Sequence, residues 1–265
     1  MIKNVKKIIA VASGKGGVGK STVAVNLTMA LSKTGARCGI LDADIYGPSI
    51  PTLLGITRRP TVVGEKVVPV EVLGIKAISM GMLAGEETPV IWRGPMVAGI
   101  IQQFLEKVEW GELDYLVIDL PPGTGDAQLT LTQKAPITGA VIVTTPQEIS
   151  LIDARRGLKM FQQVNVPVLG VVENMSYFIC DGCNKRHTIF REGGGEKISK
   201  ELNVPLLAKI PLNPLVAETS DAGQPVVASH PNSESAKSYI DLANTIIHSL
   251  NERTKGQLPS FKMTW

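Results

Sequence analysis

Residues 8 to 22 constrain the chain more than any other stretch. They read Ile-Ile-Ala-Val-Ala-Ser-Gly-Lys-Gly-Gly-Val-Gly-Lys-Ser-Thr: a short apolar run, a glycine-rich loop, then Lys-Ser-Thr opening a segment with helical spacing. A glycine, four residues and then Gly-Lys-Ser is a phosphate-binding pattern, with Gly14, Gly19, Lys20 and Ser21 at its defining positions. Gly14, Gly16, Gly17 and Gly19 open backbone conformations closed to other residues, so that consecutive N–H groups around Val18 face inward on phosphate oxygens. The helix beginning near Gly19 adds the positive end of its dipole. Lys20 supplies a point charge for the β and γ phosphates, and the Ser21 hydroxyl, followed by Thr22, is placed to bind Mg²⁺. The stretch predicts a strand-loop-helix unit that holds a nucleoside triphosphate.

Val23, Leu27, Ala30 and Leu31 continue the helix, with Gly35 at its expected C-cap. Residues 37 to 42 predict a buried strand running into Asp42-Ala43-Asp44. Acids at a strand's carboxyl end lie on the edge where an open parallel sheet binds ligands, and period-two alternation puts Asp42 and Asp44 on one face. Residues 115 to 119 repeat the pattern and end at Asp119, a carboxylate placed to hold Mg²⁺. Gly123 and Gly125 then allow the next loop to swing toward a γ-phosphate. Asp126 is a candidate cap for the helix carrying Leu129 and Leu131.

Residues 53 to 93 carry a possible hairpin at 62 to 72 and a strand at 75 to 79. Val97, Ile100, Ile101, Phe104, Leu105 and Val108 form an amphipathic helix stripe after Trp92 and Arg93. Strands at 139 to 145, 167 to 173 and 205 to 210 alternate with helices at 148 to 162, after Gly193-Gly194-Gly195, and over Ala236 to Leu250. Such alternation calls for an α/β fold: a single domain with a mostly parallel β-sheet covered by helices on both faces. We place the domain at residues 1 to 250 and a polar tail at 251 to 265.

Composition narrows the function. With 44% hydrophobic and 19% charged residues, the chain reads as an ordinary globular protein. A net charge of +3 is too weak to argue for nucleic acid. No apolar run approaches the roughly 20 residues that cross a bilayer. The N-terminus shows no signal-peptide pattern, so the expectation is a cytoplasmic protein that engages neither nucleic acid nor membrane. Three cysteines in that compartment argue against a disulfide framework. Cys38 falls within a strand and reads as an apolar filler. Cys180 and Cys183, with Gly182 easing the turn between them, can converge on one metal. One such pair is half a four-thiolate site. A redox dithiol and half a zinc loop remain alternatives, and His187 reads as an exposed loop histidine.

Lys15 is a second lysine that an ordinary phosphate loop does not need. Lys-Gly-Gly-Val-Gly-Lys-Ser resembles the deviant phosphate loop of the nitrogenase iron protein, MinD and ParA class, in which the extra lysine reaches a partner subunit's nucleotide. The resemblance implies an ATP-linked homodimer. It also implies that Asp44 orients or activates the attacking water, leaving Asp42 a structural or outer Mg²⁺ role, and that Asn174 reads adenine. An amide can donate to and accept from the adenine edge, and no Asn-Lys-x-Asp guanine signature is present, which favours ATP.

Asp-Ile-Tyr-Gly-Pro-Ser from Asp44, Asp-Leu-Pro-Pro-Gly-Thr-Gly-Asp from Asp119 and Glu-Asn-Met-Ser-Tyr-Phe before the cysteine pair narrow the resemblance to the Mrp/ApbC family of iron–sulfur cluster carrier ATPases, over residues 5 to 250. Pro211-Leu212-Asn213 is similar to that family's second adenine-side loop. Many members have Cys-Pro-x-Cys, whereas Asp181-Gly182 separates the thiols here. The resemblance implies a slow, regulatory MgATPase whose two copies share a [4Fe-4S] cluster, or zinc in its place, between Cys180 and Cys183 of each, and which passes the cluster to apo-proteins. The alternatives are a ParA- or MinD-like positioning ATPase, an ATP-dependent iron–sulfur reductase and a zinc-bridged scaffold.

Overall fold

The computed structural model describes residues 4–45, 47–82, 99 and 104–256. Its centre is β1 (Val5–Ser13), whose last six residues are buried. A strand buried on both faces reads as a continuous apolar run because helices cover both sides of a parallel sheet. The others are β2 (Cys38–Asp42), β3 (Thr61–Val63), β4 (Lys66–Val68), β5 (Val70–Val72), β6 (Ile75–Ser79), β7 (Leu113–Asp119), β8 (Gly139–Thr144), β9 (Val168–Glu173), β10 (Phe178–Ile179), β11 (Arg186–His187) and β12 (Leu206–Lys209). Among the described residues eight strands form one sheet in the order β12-β9-β8-β1-β7-β2-β6-β5. All its pairings are parallel except that of β5 with β6.

The helices bounded within the described residues are α1 (Lys20–Ser32), α2 (Ile50–Leu53), α3 (Asp126–Lys134), α4 (Glu148–Gln163), α5 (Gly194–Leu202), α6 (Pro214–Asp221), α7 (Val226–Ser229) and α8 (Glu234–Gly256). Strand alternation divides the core between the two faces. Ile8, Ala10 and Ala12 face a layer with Leu116, Leu151 and Phe161, while Ile9 and Val11 face one with Leu27, Val117 and Tyr239. α1 is buried nearly throughout because it lies against both the sheet and α8.

Several boundaries differ from those expected. The 62–72 hairpin resolves into two: β3 pairs with β4, and β5 turns back on β6 to edge the main sheet. Val62 and Val63 are both exposed, so no alternation marks a buried face there. Of the glycine run at 193–195 only Gly193 precedes α5, as its N-cap; Gly194 and Gly195 lie within the helix, and a Cβ on Gly194 would stand 2.9 Å from the Pro146 carbonyl oxygen. The C-cap of α1 is Lys33, with Gly35 at φ 85° just beyond. α8 runs on to Gly256, past the expected start of the tail. Of the stripe expected after residue 97, residues 104–107 are helical and Phe104, Leu105 and Val108 are buried. Trp92, Arg93, Val97, Ile100, Ile101 and the tail beyond Gly256 lie outside the described residues.

Candidate functional site

The carboxyl ends of β1, β7, β2 and β9 bring the chemistry-bearing residues to one edge of the sheet. Val11 is in register with Asp119, and Asp119 with Asp42. The loop after β1 is braced from three sides. Ser13 donates its hydroxyl to the Lys15 carbonyl at 2.8 Å, and its own carbonyl accepts from the N–H of Gly123 at 2.9 Å. Gly14 lies so close to α4 that a Cβ there would stand 2.2 Å from the Asp153 carbonyl carbon. Gly17 and Gly19 take left-handed φ values of 79° and 80°, which glycine alone adopts freely. Gly16 and Gly17 border open space. The loop thus packs tightly at its root and opens outward at its tip.

Lys20 begins α1 and is buried, with its ammonium 2.7 Å from Asp119 Oδ1. The Ser21 hydroxyl donates to Asp119 Oδ2 at 2.6 Å. One carboxylate therefore engages both the loop's cation and its hydroxyl. Burial pushes the Asp119 carboxyl up, Lys20 and Ser21 pull it down, and Asp44 raises it further. These are the groups that a nucleotide with its divalent cation would redistribute, since the lysine suits phosphate and the hydroxyl and carboxylate suit Mg²⁺.

Asp42 and Asp44 separate in role. β2 ends at Asp42, so strand alternation does not carry on to Asp44, although both carboxylates lie near Asp119. Asp42 Oδ1 accepts from the Asp44 N–H at 3.1 Å, and Oδ2 from the Ile50 N–H at 3.2 Å and the Ser79 hydroxyl at 2.9 Å. Fully buried and beside Asp119, its carboxyl is pushed up to about 7. Asp42 is a brace for the turn into α2. Asp44 accepts from the Gly47 N–H at 3.2 Å and lies near enough to Asp119 to raise its proton affinity.

Asn174 follows β9 and donates its amide to the Val18 carbonyl at 2.8 Å. Its Nδ2 stands 2.2 Å from where a Gly19 Cβ would be, which accounts for glycine there independently of φ. Beside Gly19 and Thr22, Asn174, Met175, Pro211, Leu212 and Asn213 line a cleft of ≈ 290 Å³. Asn213 caps α6 by accepting from the Leu215 N–H at 2.9 Å. The family resemblance pointed to Asn174 and the 211–213 loop, but gave no sign that Met175 completes the wall.

Cys180 and Cys183 stand at the tip of the β10–β11 hairpin, six and nine residues after Asn174 in sequence. The Asn184 N–H donates to the Cys180 carbonyl at 2.8 Å, closing the turn. Backbone N–H groups of Gly182 and Cys183 and the Cys183 thiol donate to Cys180 Sγ and hold its thiol below the ordinary range. A thiolate that accepts such donors is the form a metal or iron–sulfur cluster takes up. Among the described residues no three His, Cys, Asp or Glu side chains gather to hold a metal ion. His187 is exposed and rests beside Phe178 with ring centroids 6.4 Å apart. Cys38 is buried and its thiol is pushed up to about 12 by burial, as an apolar filler requires. Among the described residues no helix is long and apolar enough to cross a membrane.

Comparison with known proteins shows the family. Residues 4–247 match the model of the ParA family described as NUBPL iron-transfer P-loop NTPase. An iron-sulfur cluster carrier protein from Synechocystis is 60% identical over 251 residues, covering 92% of this chain and 71% of that protein. One from Pseudomonas fragi is 53% identical over 247 residues, covering 92% and 86%. Among solved structures, a nucleotide-binding protein from Archaeoglobus fulgidus in complex with ADP is 41% identical. It has a TM-score of 0.78 and covers 90% of this chain and 93% of its own.

Proposed function

Because the chain belongs to the family of ParA-type, NUBPL iron-transfer P-loop NTPases and iron–sulfur cluster carriers, we propose that it is an ATP-hydrolysing carrier working as a homodimer in the cytoplasm. Two copies take up a [4Fe-4S] cluster as cargo between paired Cys180 and Cys183 thiolates and deliver it to apo-proteins. The observation that carries this reading is that two thiols, with no third ligand among the described residues, stand on a hairpin that follows Asn174 at the end of β9. Half a ligand set in one chain becomes four thiolates across a two-fold axis. Ile149 and Ile152, exposed on the helix that abuts Gly14 through Asp153, give the loop side an apolar surface suited to burial against a second copy.

The residues would act as follows. Gly14 to Thr22 wrap the phosphates with backbone N–H groups, and the Lys20 ammonium moves from Asp119 to the phosphate oxygens. That exchange frees Ser21 and Asp119 to hold Mg²⁺, which draws charge from the phosphates when bound. Lys15, half-exposed on the loop, reaches the partner subunit's nucleotide. Asp44 orients the attacking water, and Asn174 with the 211–213 loop receives adenine. Hydrolysis is slow and serves to change the dimer, not to drive a chemical product. The ADP bound by the Archaeoglobus relative supports the nucleotide assignment.

Anaerobic reconstitution with iron and sulfide tests the cargo. Wild type should gain a broad visible absorbance that the Cys180→Ala, Cys183→Ala double variant lacks; identical cluster-free spectra would sink the carrier reading. Separately, Lys20→Ala should abolish ATP hydrolysis, and unchanged turnover would sink the assignment of the loop.

A further inference from the structure

The hairpin that carries the two thiols is too small to fix its own direction. β10 and β11 contribute two residues each, and residues 181–189 are exposed. An isolated two-stranded ribbon of that size is marginal in water. What aims Cys180 and Cys183 must therefore lie at the root of the hairpin, where Tyr177 stands.

Tyr177 belongs to two structures at once. Its carbonyl accepts from the Leu212 N–H at 2.7 Å, and the neighbouring Ser176 N–H donates to the Ile210 carbonyl at 2.9 Å, so its backbone is stitched to the loop that walls the cleft beside Gly19. Its ring belongs to the hairpin: the Arg186 guanidinium carbon lies 4.1 Å from the ring centroid. Arg186 pairs across the ribbon with Ile179, the residue before Cys180, and reaches Glu192 at 3.9 Å. The Tyr177 hydroxyl meets Glu234 at the start of α8 at 3.5 Å. Between Asn174 and Tyr177 the chain passes through Met175 at φ 53°, a left-handed turn that an unbranched side chain tolerates at some cost and that the flanking hydrogen bonds hold in place. Between Asn174 and Cys180 the chain is thus tied to the cleft wall at Ser176 and Tyr177 and to Arg186 at Ile179.

We propose that Tyr177 and Arg186 are positioning residues that couple occupancy of the base cleft to the direction and exposure of the Cys180–Cys183 pair. An adenine nucleotide that settles against Asn174, Met175 and Leu212 moves or stiffens the Leu212–Tyr177 link. The ring transmits that change to Arg186, and Arg186 to the strand that ends at Cys180. Coupling of this kind is reciprocal, so a metal held by the thiols changes nucleotide affinity by the same factor. This inference rests on the nucleotide half of the function proposed above and needs no cluster.

The test uses the full chain, metal-free and reduced, with ADP as the nucleotide and N-ethylmaleimide, a neutral reagent, as the thiol probe. ADP binding is measured by calorimetry and the labelling rate of Cys180 and Cys183 by mass spectrometry. In wild type, saturating ADP should change the labelling rate by about fivefold, the lower end of ordinary coupling. In Arg186→Ala the ratio with and without ADP should fall to near one while ADP affinity is retained. Tyr177→Ala should also lose the ratio, and Arg186→Lys, which keeps a cation over the ring, should restore much of it. An unchanged labelling rate in wild type with ADP bound, or a ratio preserved in both alanine variants, would overturn the coupling. Failure of wild type to bind ADP at all would overturn the nucleotide assignment and this inference with it. Failure only of cluster reconstitution would leave the coupling standing.

Discussion

The buried pair between Lys20 and Asp119 gives the sharpest quantitative expectation. Their side chains are 7% and 0% exposed and the contact is 2.7 Å, so at an effective dielectric of about 20 the gross attraction is about 6 kcal/mol. Removing two charges from water costs several kcal/mol each, which leaves the intact pair close to balance. Lys20→Ala breaks that balance: Asp119 keeps the Ser21 hydroxyl but loses its counter-charge. Leaving one member of a buried pair uncompensated costs about 3–5 kcal/mol. The alternative, protonating at pH 7.5 a carboxyl with an unfolded pKa near 3.9, costs about 5 kcal/mol and caps the loss. We expect nucleotide-free Lys20→Ala to lose about 4 kcal/mol by urea denaturation, or about 10 °C in Tm for a chain of this size. The pH sign follows. In the variant the folded Asp119 carboxyl is raised above its unfolded value, so the folded state binds the extra proton. Stability is fullest below the unfolded pKa and is lost as pH rises toward the folded one, by about 1.4 kcal/mol per unit. The penalty should therefore shrink on acidification to pH 5. Adding Asp119→Asn to Lys20→Ala should recover at least half of the loss. A loss below about 1 kcal/mol, or a double variant that loses the sum of the singles, would refute the pairing.

Two further outcomes follow from the same sheet edge. Gly14→Ala must displace α4, since its Cβ would stand 2.2 Å from the Asp153 carbonyl carbon, and should cost about 2–3 kcal/mol in urea denaturation; Gly16→Ala meets open space and should change stability by less than about 0.5 kcal/mol. Asp42, held at about 7 by burial against an unfolded value near 3.9, keeps its proton in the folded chain across that window, so stability should fall as pH rises from about 4 to 7 by up to about 4 kcal/mol. Asp42→Asn should flatten that dependence in denaturant titrations at pH 5 and pH 8, and an unaltered slope would remove Asp42 as its source.

How far the site could be read from sequence depends on how local its signals are. The loop at Gly14 to Ser21 and the carboxylate at Asp119 are each marked by a few adjacent residues: a strand, a turn residue and a functional group. Reading them requires no knowledge of what lies across the sheet. The strand-helix alternation likewise gave the α/β class, because buried parallel strands and amphipathic helices carry their periods within themselves. Asp42 and Asp44 show where this stops. Alternation placed both on one face, yet the donors that capture Asp42 come from Ile50 and Ser79, the second of them 37 residues away. Nothing near Asp42 in sequence announces them. The close approach of Gly14 to Asp153 and the contact of Arg186 with Tyr177 are of the same kind, as is the antiparallel β5 at the sheet's edge.

The contacts that sequence could not show also decide what kind of device the loop is. In a site built only to hold phosphate, the loop would need its glycines, Lys20 and little else. Here it is gripped on both sides of its open tip by elements that lead elsewhere: Gly14 by α4, Ser13 by the loop after β7, Lys20 and Ser21 by Asp119, and Val18 by Asn174. Nucleotide cannot take Lys20 and Ser21 without loosening Asp119, nor enter the cleft beside Gly19 without meeting Asn174. Asn174 in turn stands three residues from Tyr177 and six from Cys180 on one continuous segment. The number of internal bonds that must be exchanged makes binding less favourable than an open loop would allow. Under the function and coupling proposed above, it also carries binding to Asp44, to α4 and to the thiol hairpin together. A carrier that must hold its cargo in one state and release it in another requires that trade, because a ligand shifts a conformational equilibrium only as far as it interacts differently with the two states.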